Sequence, residues 1–94
     1  NEEVTLTKNG LLARSYNEFN DDYSPKQLKL THNILALTED NWETVSLGIG
    51  EHDYQYYDND ILTTGTGYGV SAKFLNAGYI NGSQIIGGDI YSIN

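Results

Sequence analysis

The residues of this chain with chemistry to offer are two histidines, thirteen carboxylates and eight tyrosines, and their spacing limits what they can do. His32 lies in a Thr31-His32-Asn33 break, where a base or metal ligand could sit. No second histidine stands at helical or hairpin ligand spacing, so a turn-stabilising role is expected for it. Glu51-His52-Asp53 and Asp58-Asn59-Asp60 supply cation ligands, yet the twelve-residue calcium loop with its central Gly and terminal Glu is missing. A cation or hydrolytic site at His52, Asp53, Asp58 and Asp60 therefore ranks third among the readings, below a solvated acidic loop. A glycosidase pair needs two carboxyls roughly 5 to 10 Å apart, a separation that sequence does not fix. Ser15, Ser24 and Ser46 lack the Gly-x-Ser-x-Gly setting of an activated serine. The Gly- and Thr-rich run 63–69 lacks the trailing lysine and helix of a phosphate loop. No catalytic residue, metal ligand or cofactor is assigned, and the chain is expected not to be an enzyme. Tyr54, Tyr56 and Tyr57 are the candidate ligand-binding set, because tyrosine joins a large apolar ring to a hydroxyl and suits both interfaces and sugars.

Composition narrows the partners. The 94 residues carry a formal charge of -8, from thirteen acidic residues against five Lys and Arg. That balance repels a phosphate backbone, so neither nucleic acid nor an anionic membrane is an expected partner. No run approaches the roughly 20 apolar residues of a membrane span. A chain of this size buries only about 60 to 65% of the surface it exposes when unfolded. It has no cysteine to form a disulfide or thiolate metal site, which leaves self-association as the route to stability. It also has no methionine and opens on Asn1-Glu2-Glu3-Val4, from which we expect a piece of a longer polypeptide.

The elements that must position these residues are mainly β. Val4 to Lys8 alternates with period two, Asn9-Gly10 suits a type I′ turn, and Leu11 to Tyr16 can return antiparallel. The acidic and aromatic stretch 17–25 reads as an exposed loop ending near Pro25. Gln27 to Thr31 and Ile34 to Thr38 read as one bent strand or a hairpin. Asp40-Asn41-Trp42-Glu43 has the form of a capping box, which predicts a short helix over 41–47 with Trp42 turned inward against the sheet. The run 51–60 reads as a surface loop and 63–69 as a flexible turn. One domain is expected, divided into an N-terminal hairpin and loop (1–27), strands and short helix (28–50), acidic and glycine-rich loops (51–69) and a repetitive β segment (70–94).

That last segment repeats every five residues. Leu75, Ile80, Ile85 and Ile90 are each followed two positions later by Ala77, Gly82, Gly87 or Ser92. An odd period cannot stay on one face of a flat strand, so the aliphatics switch faces unless the chain bends between them. Two solutions remain open: ordinary strands with glycine turns, or an interdigitated fold of several chains about one axis, where small residues allow close approach. On the second, Leu75, Ile80, Ile85 and Ile90 form the oligomer interface.

Leu28 to Thr44, then Tyr68-Gly69-Val70-Ser71-Ala72 and Ala77-Gly78-Tyr79-Ile80-Asn81-Gly82, resemble a segment of minor structural, tail-associated proteins of phages and prophages of Gram-positive bacteria, also called tail endopeptidase proteins. The likeness covers about residues 28–94 and rests on the order of short motifs. It implies a homotrimeric piece of a tail tip or fibre, with a β-helix-like or β-prism trunk. It also implies a place in the virion tail, outside the cell on assembly, between the tail machinery with its other tail proteins and the parts that recognise the host. Enzymatic domains of that family are separate modules, and none of their motifs occurs here. The alternative expectation is a carbohydrate-binding module that meets host cell-wall polysaccharide through Tyr54, Tyr56 and Tyr57.

Overall fold

The computed structural model describes residues 1–82 and 84–88. It is mainly β, as expected from the alternating segments. Seven strands, β1 (Glu2–Thr7), β2 (Gly10–Asn17), β3 (Asp22–Tyr23), β4 (Gln27–Leu30), β5 (Ile34–Thr38), β6 (Leu47–Asp58) and β7 (Ile61–Ala72), make an antiparallel sheet. Its order is β1-β2-β4-β5-β6-β7, with β3 continuing beside β2 beyond the end of β4. Apart from β3 and β4, which both pair with β2, each strand neighbours the next in sequence. Pro25 supplies no backbone N–H, and the edge along β2 is broken between β3 and β4 at that point.

The first hairpin forms one residue away from its expected turn. Thr7 pairs with Gly10, so Lys8-Asn9 is the loop, and the positive φ falls on Gly10 at 118°. A Cβ there would meet the Leu30 carbonyl oxygen of the neighbouring strand at 2.4 Å, which reserves the position for glycine. The stretch 17–25, expected to be loop, contributes β3 and carries its turn on Glu18 to Asp21. β4 and β5 settle as a hairpin, closed by the Thr31 N–H donating to the Ile34 carbonyl at 2.9 Å.

The expected helix over 41–47 does not form, and the described residues contain no helix. Asp40 does cap backbone donors, as the sequence suggests, but it caps a turn. Its Oδ1 accepts from the Thr44 N–H at 2.9 Å and its Oδ2 from the Thr44 hydroxyl at 2.5 Å. Asn41 and Trp42 take φ of 58° and 71°, left-handed values that a right-handed helix cannot contain. The Thr38 hydroxyl holds this shape. Its oxygen accepts from the Trp42 N–H at 3.0 Å and lies within donating distance of Asp40 Oδ1 (2.8 Å) and the Thr44 carbonyl (2.7 Å). Trp42 nonetheless reaches the sheet. Its indole Nε1 donates to Gln27 Oε1 at 2.8 Å, and the Lys29 ammonium sits 4.3 Å from the ring centre.

The acidic loop at 51–60 and the flexible turn at 63–69 are also corrected: both runs lie mostly within the long β6–β7 hairpin. Asp58 pairs with Ile61, and Asn59 and Asp60 turn with φ of 48° and 65°, the signature of a type I′ loop. The hairpin arms have 12 residues each, about 40 Å at strand rise. β5 covers only residues 47–50 of β6, so from Glu51 outward the hairpin is a two-stranded arm.

Residues 73–82 and 84–88, the described part of the repetitive segment, lie in no strand of the single chain. Ile90 and Ser92 of the five-residue pattern fall outside the described residues.

Candidate functional site

Side chains directly opposite each other in antiparallel strands share a face, so the register sorts the sheet into two surfaces. One row runs Leu6, Leu11, Leu30, Leu35, Ile49 and Val70, one aliphatic from each of six strands. Two residues along, a parallel row on the same face runs Val4, Ala13, Leu28, Leu37, Leu47 and Ala72. Neither row holds a polar side chain. The opposite face carries Thr5, Leu12, Lys29, Ala36, Gly48 and Ser71 in one row, with Gln27 opposite Thr38 and Glu3 opposite Arg14 beside it.

The mixed face is the covered one. Gln27, Ala36 and Thr38, the buried side chains of the described residues, all lie there, with Gln27 and Thr38 hydrogen-bonded to Trp42. Beside them Arg14 bridges to Glu3 at 3.1 Å, Tyr23 donates to the other Glu3 oxygen at 2.9 Å, and the Arg14 guanidinium lies 3.6 Å from the Tyr23 ring centre. The Tyr23 hydroxyl, and after it Arg14, lowers the Glu3 pKa below its ordinary 4.5, while the same hydrogen bond raises that of Tyr23. The apolar face is open toward its two edges, where Val4, Leu6 and Val70 are 65, 77 and 64% exposed, while Leu11, Ala13, Leu28, Leu35, Leu37 and Leu47 toward its middle are half-buried. A concavity of about 660 Å³ opens over its second row, with Phe74 at its margin.

The surface total agrees. The chain exposes 8290 Å² where a compact monomer of 10.5 kDa exposes about 5,400 Å². Its radius of gyration is 17.4 Å against roughly 12 Å for a compact domain of this length. Ala36 is the buried hydrophobic residue of a sheet whose other aliphatics are exposed or half-buried.

The tyrosines of the β6 arm divide between the faces. Tyr54 and Tyr56 point the same way, with ring centres 5.6 Å apart and planes tilted by 35°. Tyr57 points the other way, opposite Leu62. Glycine fills the partner strand where the first pair needs room: Tyr54 pairs with Gly65, and a Cβ on Gly65 would come within 2.9 Å of the Tyr54 ring. His52 shares this face, pairs with Gly67 and has its Nε2 2.9 Å from the Gly48 carbonyl. The alternation Gly65, Gly67, Gly69 opposite Tyr54, His52 and Gly50 was the legible sign of a strand in a run that otherwise reads as a turn.

The remaining candidates are dispersed. His32 is exposed in the β4–β5 turn. Asp53 lies on the face opposite His52 and accepts from the Thr66 hydroxyl at 2.9 Å, while Asp58 and Asp60 flank the arm's tip. Among the described residues, no three His, Asp or Glu side chains gather as cation ligands. The Ser46 hydroxyl donates to Glu39 at 2.6 Å, which with the Lys73 ammonium holds the Glu39 carboxyl below its ordinary pKa. Leu75, Ile80 and Ile85 are 70, 74 and 80% exposed. Gln84, between them, uses its side-chain amide like a strand backbone: Oε1 accepts from the Tyr57 N–H and Nε2 donates to the Tyr57 carbonyl, both at 3.0 Å.

Comparison with protein-family models, characterised proteins and solved structures returns no match to this chain.

Proposed function

We propose that this chain is a non-enzymatic structural module that completes its fold by joining further copies of itself, three about one axis, in the tail tip or fibre of a phage or prophage. The observation that carries the assembly is the uncovered apolar sheet: twelve apolar positions in two full rows, and Ala36 as the buried hydrophobic residue. Monomeric proteins rarely leave a contiguous apolar surface open, and such surfaces mark sites of association. The exposed Leu75, Ile80 and Ile85 support a second line of contact along the C-terminal segment, continued by Ile90 in the five-residue pattern. Placement in a virion tail, linking the tail machinery to host-recognition parts, rests on the motif order from Leu28 to Gly82. A trunk of the β-prism kind suits a sheet with one apolar face. Ile85→Asp tests the segment's role: it should lower the mass in solution toward one chain, while Asn81→Asp should not, and equal masses would discard the repeat as an interface.

A second reading has its own observation. Tyr54 and Tyr56 form a ring pair, with Tyr54 over Gly65 and Tyr56 opposite Thr63, a platform of the kind sugars stack on. On this reading the double change Tyr54→Ala, Tyr56→Ala abolishes binding to purified cell-wall polysaccharide and Tyr57→Ala does not. Loss from neither would remove the carbohydrate role.

A further inference from the structure

We infer that the apolar face of the sheet is itself an interface, turned toward the same face of the other copies of this chain about their common axis. The inference rests on the assembly reading above and deepens it: the principal contact lies on the sheet, with Leu30 and Val70 in it, and the C-terminal repeat adds a second line. Three observations select another copy as the occupant. First, the chain exposes about 2,900 Å² beyond what a compact monomer of its mass would, against roughly 800 Å² per partner in an ordinary stable interface and more in obligate ones. The surplus is shared among the apolar face, the two-stranded arm beyond Glu51 and the C-terminal segment, and it leaves room for an interface of ordinary size on the sheet. Second, the two rows hold no charge, although the chain carries -8. Copies of equal charge repel wherever they meet, and least across a surface that has none. Third, the patch has the anatomy of an interface, with an aliphatic centre and a polar rim. Glu2, Lys26, Glu39 and Lys73 border the concavity at one end of the rows. Glu51, paired with Tyr68, closes the other end.

Packed sheets stand about 10 Å apart with their inner side chains interleaved. Leu30, near the middle of the first row, would then face its counterparts across the axis, and Ser71, on the opposite face of β7, would face solvent. The native chain has no cysteine, so single replacements report on this directly. The 94-residue chain carrying Leu30→Cys or Ser71→Cys would be treated with a bismaleimide spanning about 10 Å. Cross-linked dimers from Leu30→Cys and none from Ser71→Cys are expected. In parallel, Val70→Asp should weaken association at least 10-fold by light scattering while Ser71→Asp leaves it unchanged. Val70 is 64% exposed in the single chain, so the substitution does not depend on a core position for folding. A wild-type chain that stays monomeric overturns both the assembly reading and this interface. An assembled wild type in which the Leu30 and Val70 variants behave like their Ser71 counterparts overturns this interface alone.

Discussion

Thr38→Val keeps the shape of a side chain only 2% exposed and removes its hydroxyl. The turn that presents Trp42 depends on that one oxygen, which accepts from the Trp42 N–H at 3.0 Å and the Asp40 N–H at 3.3 Å and lies within donating distance of two acceptors. A net hydrogen bond contributes about 0.5 to 1.5 kcal/mol, and a donor left without a partner in a part-buried place costs about 1 to 3 kcal/mol. The replacement should therefore destabilise the fold by about 2 to 3 kcal/mol. With a urea dependence near 1 kcal/mol per molar for a small domain, the midpoint should fall by about 2 M. Trp42 is the chain's lone tryptophan, so its emission follows the turn and the sheet together. Melts at one fixed protein concentration keep association from contributing to the difference. A midpoint shift under about 0.5 M would refute the assignment of the turn to Thr38 and return the region to its capping signal alone.

Gly50→Ala should cost at least about 3 kcal/mol in the same melt, because its φ of 154° is costly for an L side chain and its Cβ would lie 2.1 Å from the Asn33 carbonyl oxygen. Gly69→Ala, with nothing within 4 Å of the added carbon, should change stability by less than about 0.5 kcal/mol. Acid should weaken the fold. Asp40, held below its ordinary pKa first by the Thr44 hydroxyl and then by the Thr44 N–H, and Glu3 and Glu39, lowered by their own partners, stabilise the native state above their ordinary values of 3.8 and 4.5. That contribution is lost as pH falls through their lower native values, so Asp40→Asn should flatten the acid limb of a stability–pH curve.

How much of this was legible follows from what each signal depends on. The first hairpin was readable from local alternation apart from its turn, the two strands of 27–38 were readable but not the choice between a bent strand and a hairpin, and Trp42 was placed against the sheet, where its indole bonds Gln27. The helix at 41–47 was not, because Asp40 satisfies the same backbone donors at a helix start and in a left-handed turn, and only Thr38, upstream of the motif, decides between them. β6 and β7 were missed for a different reason. Beyond residue 50 both faces of the arm meet water, so no apolar alternation marks it, and acidic tyrosine-rich composition reads as loop. Asn59-Asp60 was the available clue to the turn, since both residues tolerate positive φ. Among the tyrosines, parity alone separates Tyr57 from Tyr54 and Tyr56 once the run is a strand. The two apolar rows were beyond sequence reading, since each requires the register of five strand pairings at once.

On the function proposed, other copies of the chain finish this sheet. The absolute mass of the unmodified protein, by light scattering behind a sizing column over a range of concentrations, tests it most directly against the chain mass of 10.5 kDa. A concentration-independent mass of three chains is the predicted result. A single-chain mass throughout would contradict the account and leave the apolar face to a different occupant.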